Sequence, residues 1–294
     1  LAFAMELQEK GIKDFGLKFG NSSNILDVMY KISNREGIYN ELADGTKALS
    51  EKYGGKEFAI HSKGMELAAY EPRKSVAMGL GYATSNRGAC HLNGGYGALL
   101  ENLSAIPVDA ITTKGKPELT VFFQNLLEAN SVAGFCLQTA QTLVPSFVFK
   151  LKPSVKLVGL MGKSLINSRT VLGSIWKSLP KSMPFNTMYL APHAEALRLA
   201  TGMNMTTGRF LQAGERSFNI EKLFNIREGF SSKDDSLAIR LTSVPSDPKN
   251  QDTVVKLKTM LPRYYKIRGW DKHGIPSKHK LKQLELEEVQ NGKG

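Results

Sequence analysis

Hydrophobic and polar positions along the chain predict helices over most of its length. Apolar residues recur three and four positions apart, which is the spacing of one buried helix face. The runs with this spacing are 1–10, 25–32, 38–53, 118–129, 194–201, 209–228 and 252–266, and a last helix is predicted after Pro276. Thr206 or Thr207 stands where it can cap the longest run. The pattern therefore predicts a mainly α protein.

One run in the first half of the chain, 58–67, has the alternation of a strand. His61 and Lys63 alternate there with apolar neighbours, so we interpret them as the solvated side of that strand. Asp234 and Asp235 are adjacent carboxylates in a predicted loop. They could suggest a metal site, but the favoured interpretation is a solvated loop.

The segment 79–97, called here the glycine-rich segment, contains six glycines together with Arg87, Cys90 and His91. Glycine lets a backbone turn tightly or approach a bulky ligand closely. Spacing alone favours neither a turn region between helices nor a ligand site. The segment matches neither the P-loop nor the dinucleotide-binding glycine pattern, so nucleotide binding is not predicted.

Composition narrows the functional classes. The 294 residues include 39 Lys and Arg against 27 Asp and Glu, a net charge of +12 that favours an acidic partner or anionic ligand. The two cysteines, Cys90 and Cys136, make a disulfide framework improbable, which predicts a reducing cytoplasm. No apolar run reaches membrane-spanning length, so no membrane is predicted.

The stretch 129–194 contains no acidic residue and is the main shift in composition along the chain. Its seven basic residues are Lys150, Lys152, Lys156, Lys163, Arg169, Lys177 and Lys181. They predict either a basic surface connection or a docking face for an acidic partner. Its aromatic residues are widely spaced, so binding of nucleic acid is not favoured.

Five phrases stand out along the chain: KGMEL at 63–67, GLGYATSNRGACH at 79–91, GER at 214–216, LFNIREGF at 223–230 and LPRYYKIRGWD at 261–271. Their sequence and order resemble those of the tungsten-dependent aldehyde ferredoxin oxidoreductases. The resemblance covers nearly the whole chain and leaves out only about 150–192. The phrases are long and of low degeneracy, so the resemblance is a specific one.

The resemblance implies a multihelical fold of two intimately packed helical domains. We expect one domain over 1–145, with the glycine-rich segment and Cys136, then a basic connection over 146–192 and a second domain over 193–294. The chain opens in mid-helix without methionine. We therefore expect it to be the C-terminal region of an enzyme whose N-terminal domain lies elsewhere.

The resemblance also implies cofactors and site residues. The family oxidises aldehydes to carboxylates with a tungsten bis-pterin of the molybdopterin type and a 4Fe-4S cluster, and passes electrons to ferredoxin. Cys136 matches the last cluster cysteine and is the expected metal ligand, while the other cluster cysteines are expected in the N-terminal part. Ser131, Gly134 and Arg87 are the expected cofactor-binding residues. His91 is the expected catalytic residue, since an imidazole can move protons near neutral pH.

Two functions remain open at this point. The first is the enzyme portion, with an N-terminal domain or subunit, ferredoxin and an aldehyde as partners; a homo-oligomer is compatible with it. The second is a non-catalytic helical relative or scaffold that has lost the cofactor. Ser131 favours the second, because it stands where the family has an aspartate that binds the pterin.

Overall fold

A computed structural model describes residues 1–94, 96–103, 109–137, 139 and 192–290 of the chain. These residues form helices joined by loops and one short hairpin. The helices are α1 (Ala2–Glu9), α2 (Ile25–Ser33), α3 (Tyr39–Leu42), α4 (Gly45–Tyr53), α5 (Val76–Thr84), α6 (His91–Gly94), α7 (Tyr96–Leu103), α8 (Lys116–Val132), α9 (Pro192–Thr201), α10 (Thr207–Arg227), α11 (Ile239–Ser243), α12 (Leu257–Arg268), α13 (Lys278–Gln283) and α14 (Glu287–Gln290). The mainly α, multihelical fold is confirmed.

Helix α8 lies at the centre of the fold, packed against α5, α10 and α12. Its apolar residues enter two cores, one around Phe123 and Leu127 and one around Val121 and Phe218. These cores join residues on both sides of the expected connection 146–192, which itself lies outside the described residues. The domain limits 1–145 and 193–294 stay a prediction.

A fully buried arginine ties α12 to α8. The guanidinium of Arg268 donates to Gln124 Oε1 at 2.7 Å and to Asn125 Oδ1, and its Nε donates to the Tyr264 hydroxyl at 3.1 Å. It also stacks on the Phe218 ring, 3.8 Å from the centroid. Buried charge needs such partners. They explain why the polar residues of α8 can lie inside the protein.

Gly214 sets the distance between α8 and α10. A Cβ at this position would lie 1.9 Å from the Asn125 carbonyl oxygen and 2.7 Å from the Ala129 amide nitrogen. Both are backbone atoms of α8, so neither can move aside cheaply.

Gly214→Ala is therefore expected to lower the free energy of unfolding by about 3 kcal/mol, at the upper end of the usual cost of overpacking. Denaturant-induced unfolding followed by circular dichroism measures the change. Arg227→Ala, an exposed position near the end of the same helix, should stay within about 0.5 kcal/mol of the parent. Equal stability of Gly214→Ala and parent would contradict the close packing.

Two predictions of local structure were wrong. The run 38–53 forms α3 and α4, separated at Asp44, because Gly45 adopts a φ of +85°. The run 58–67 forms a hairpin of His61–Ser62 (β1) and Met65–Glu66 (β2), since Lys63 and Gly64 have φ of +53° and +86° and turn the chain back. The glycine-rich segment, whose structure the spacing left open, begins within α5.

Lys63 and Asp235 also depart from the interpretation as solvated residues. Lys63 Nζ lies 2.9 Å from Asp235 Oδ1, and both side chains are buried. Asp235 Oδ2 lies 3.3 Å from Lys222 Nζ and accepts the Tyr265 hydroxyl at 2.7 Å. Burial lowers the pKa of Lys63. Asp235 thus joins the hairpin to α10 by buried ionic contacts and to α12 by the hydrogen bond from Tyr265.

No helix in the described ranges is long and apolar enough to cross a membrane.

Candidate functional site

The glycine-rich segment is fixed against α10 at Asn86 by two hydrogen bonds of asparagine side chains. Asn86 Nδ2 donates to the Phe218 carbonyl at 2.8 Å, and Asn225 Nδ2 donates to the Asn86 carbonyl at 2.8 Å. These bonds satisfy backbone and amide groups of a partly buried loop. They set the position of the next residue, Arg87.

Arg87 and Ser131, both expected to bind the cofactor, lie in contact. Arg87 Nη2 is 3.3 Å from Ser131 Oγ, near the C-terminal end of α8. The same nitrogen lies 3.8 Å from Glu128 Oε2, one helical turn earlier. A guanidinium with a partly exposed side chain next to a hydroxyl offers donors to an anionic or polar ligand.

Glu128 is a buried carboxylate that sequence reasoning missed. Its Oε2 accepts the Asn93 amide at 2.9 Å, and its Oε1 accepts the Ser217 hydroxyl at 3.0 Å. It therefore joins α6, α8 and α10 at one point. A sequence signal did exist, since Glu128 falls one turn before Ser131 on the same predicted helix.

His91, the expected catalytic residue, is half-buried at the start of α6. Its ring lies 5.6 Å from the ring of Tyr70, measured between centroids, at an interplanar angle of 38°. Asn93, two residues further on, binds Glu128. The helix thus links His91 to the Arg87 and Ser131 pair. Tyr70 is exposed and was not identified from the sequence.

Gly134 and Cys136 lie just beyond the end of α8. Gly134 has a φ of +77°, and its amide donates to the Ser131 carbonyl at 3.1 Å, while the Phe135 amide donates to the Asn130 carbonyl at 3.0 Å. This turn ends the helix and requires the left-handed conformation that glycine favours. It leads to Cys136, which is exposed rather than a buried core thiol.

Two buried asparagines near this helix end have side-chain atoms with no hydrogen-bond partner among the described residues. Asn130, fully buried, has both side-chain polar atoms unpaired, and the side-chain oxygen of the buried Asn93 is unpaired as well. Buried polar atoms without partners are costly and rare. Sequence reasoning missed both residues. A polar ligand with its own donors and acceptors would satisfy them, so the donor set here fits a pterin.

A single thiol cannot hold a metal cluster alone. Within the described ranges, no group of three or more His, Cys, Asp or Glu residues could hold a metal ion. An iron-sulfur cluster of the 4Fe-4S type takes four thiolates. The exposed Cys136 fits one ligand of such a cluster, provided that another polypeptide segment supplies the others.

The family model described as "Aldehyde ferredoxin oxidoreductase, domains 2 & 3" matches residues 1–286. Relatives include the tungsten-containing aldehyde ferredoxin oxidoreductases of Pyrococcus abyssi and Pyrococcus horikoshii, each 33% identical over 307 residues. That of Pyrococcus furiosus is 33% identical over 305 residues. These alignments cover 98% of the chain and 42% of each relative. The chain thus spans less than half the length of these curated relatives.

The fold is similar to that of a chain in the active site complex BamBC of benzoyl coenzyme A reductase, solved with 1,5-dienoyl-CoA. The TM-score is 0.55 at 21% sequence identity, over 99% of this chain and 43% of the other. At that identity the similarity concerns the fold alone.

Proposed function

The chain belongs to the aldehyde ferredoxin oxidoreductase family, and from this membership we propose that it forms the C-terminal portion of an enzyme that oxidises an aldehyde to a carboxylate. Tungsten held by a bis-pterin, with a 4Fe-4S cluster nearby, would take up the electrons of this oxidation. The rest of the enzyme would come from a domain 1 on the same polypeptide or on a separate subunit.

The observation that carries the proposal is the arrangement at the end of α8. Arg87 and Ser131 are in contact there, the amides of Asn93 and Asn130 are buried without complete pairing, and Cys136 is exposed just beyond. Arg87, Ser131 and the two asparagines would hold the pterin by hydrogen bonds. Gly134 would let the backbone turn close to it, and Cys136 would supply one thiolate to the cluster.

In this proposal, two further residues act on the substrate rather than on the cofactor. His91 would hydrogen-bond the substrate oxygen or take up a proton released from the aldehyde. Tyr70, whose ring lies beside that of His91, would orient the imidazole. Ferredoxin is the proposed acceptor, and the net charge of +12 supports an acidic carrier. The seven basic residues expected to dock it lie outside the described residues.

The alternative is a helical scaffold without cofactor, which Ser131 favours because it lacks the charge of the family's aspartate. The position of Glu128 reduces the weight of that observation. The carboxylate of Glu128 lies 3.8 Å from the Arg87 guanidinium, which also contacts Ser131. A negative charge is therefore present one helical turn from Ser131.

Metal content and activity test the proposal together. Co-expression of the chain with a domain 1 should give a complex that contains tungsten and reduces a small dye when an aldehyde is added. Elemental analysis and dye absorbance are the measurements, and Arg87→Gln should lower the tungsten content because it removes a pterin donor. A folded complex with neither tungsten nor pterin would establish the scaffold alternative.

A further inference from the structure

Glu128 on α8 and Glu221 on α10 both lie where these two helices pack against each other. Ser217, on α10, donates its hydroxyl to Glu128 at 3.0 Å. Glu221 lies one helical turn beyond Ser217, on the same face, and accepts the Asn86 amide at 3.3 Å. Burial raises the pKa of Glu221, and the charge of Glu128 and a hydrogen bond with it raise the pKa further.

The charges around this carboxyl pair do not balance. Arg87 is the cation at the pair, 3.8 Å from Glu128, and its side chain is 37% exposed. Asn86 and Asn93 are neutral donors. Lys222 and Lys63 contact Asp235, and Glu215 contacts Lys280, so these charges are paired with other groups. His91 is the titratable residue of α6. Two ionised carboxylates against one partly exposed guanidinium are unfavourable, which favours the retention of one proton by the pair.

We propose that Glu128 and Glu221 share one proton at neutral pH and carry protons away from the cofactor site. The proposal rests on the proposed function. Oxidation of an aldehyde with one water gives a carboxylate, two electrons and three protons, and the electrons leave through the cofactors to an external carrier. The pair releases its shared proton to solvent through the half-buried Glu221 and regains one from the site, so it carries one proton at a time.

The position of the pair connects it with the site. Arg87 contacts both Glu128 and Ser131. Asn93 donates to Glu128, and its side-chain oxygen is one of the unpaired atoms described above. The pair is therefore in contact with Arg87 and Asn93, two of the residues proposed to hold the cofactor. Neither glutamate need touch the substrate, so both are proton-carrying rather than catalytic residues.

Infrared spectroscopy of the purified protein detects the shared proton without any cofactor. A protonated carboxyl group has a carbonyl stretch separate from the amide bands, and the stretch shifts in D₂O. We expect such a band at neutral pH, lost at high pH and lost in Glu221→Gln. Glu228→Gln, an exposed residue near the end of the same helix, should retain it. Any band from Glu101, another buried carboxyl with a raised pKa, would be present in both variants.

A second variant keeps the test valid if Glu221→Gln is unstable. Ser217→Ala removes a donor that stabilises ionised Glu128, so the band should persist to higher pH than in the parent. A spectrum in which neither variant changes the band would overturn the shared proton.

Turnover tests the carrying role in the metal-loaded enzyme. Glu221→Gln should retain tungsten and lower turnover at neutral pH by about 10- to 100-fold, in the lower range for assisted proton transfer. Glu228→Gln should match the parent. Unchanged turnover in Glu221→Gln would overturn the carrying role. If the complex contains no tungsten, but the carbonyl band is present at neutral pH and lost in Glu221→Gln, the proposed function is refuted and the shared proton is established.

Discussion

Cys136→Ser in the complete enzyme is expected to abolish or convert the 4Fe-4S signal in electron paramagnetic resonance. The reason is that clusters of this type are held by four thiolates, and a serine oxygen is a harder ligand than the sulfur it replaces. In the proposed function the electrons leave through the cluster, so electron transfer to ferredoxin or a dye should fall with it. Iron and sulfide analysis provides a second measurement.

The structure gives this prediction its geometric basis. The turn at Gly134 ends α8 and leads to Cys136, whose thiol is exposed and so can reach a cluster held by another segment. Cys90 is the matched control, since it is a free cysteine that is 5% exposed and packed inside the glycine-rich segment. Cys90→Ala should keep the cluster signal. A spectrum unchanged by Cys136→Ser would show that the thiol is not a ligand.

Much of the helical framework could be predicted from periodicity, because long amphipathic runs specify both helix type and buried face. The run 209–228 became α10, Thr207–Arg227, and Thr206 caps it by accepting the Arg209 amide at 3.2 Å. Short-range breaks were harder to predict. The separation of α3 from α4 depends on the positive φ of Gly45. Glycine allows both signs of φ, so tertiary packing decides which one it adopts.

The candidate site was only partly predictable for a different reason. Arg87 and Ser131 could be named from motifs, and their contact across 44 positions confirms that the structure brings them together. Glu128, Asn93 and Asn130 lie on helix faces where polarity alone does not distinguish a buried residue from a solvated one. Asp235 shows the same limit, because its partners Lys63 and Lys222 come from distant segments.

The site's chemistry gives one more large effect. His91→Ala should lower turnover by about 10² to 10⁴-fold while the tungsten content stays at the parent level, because removal of a general acid or base affects proton transfer rather than cofactor binding. Aldehyde-dependent dye reduction and elemental analysis measure the two quantities on one preparation.

Two controls separate a catalytic role of His91 from a structural one. His273→Ala, at an exposed position after α12, should leave turnover and tungsten unchanged. Tyr70→Phe keeps the ring that lies 5.6 Å from the imidazole, so an effect much smaller than that of His91→Ala would assign the chemistry to the histidine. If His91→Ala loses tungsten and activity in equal proportion, His91 supports the cofactor pocket and the proton released from the aldehyde must be taken up by another group.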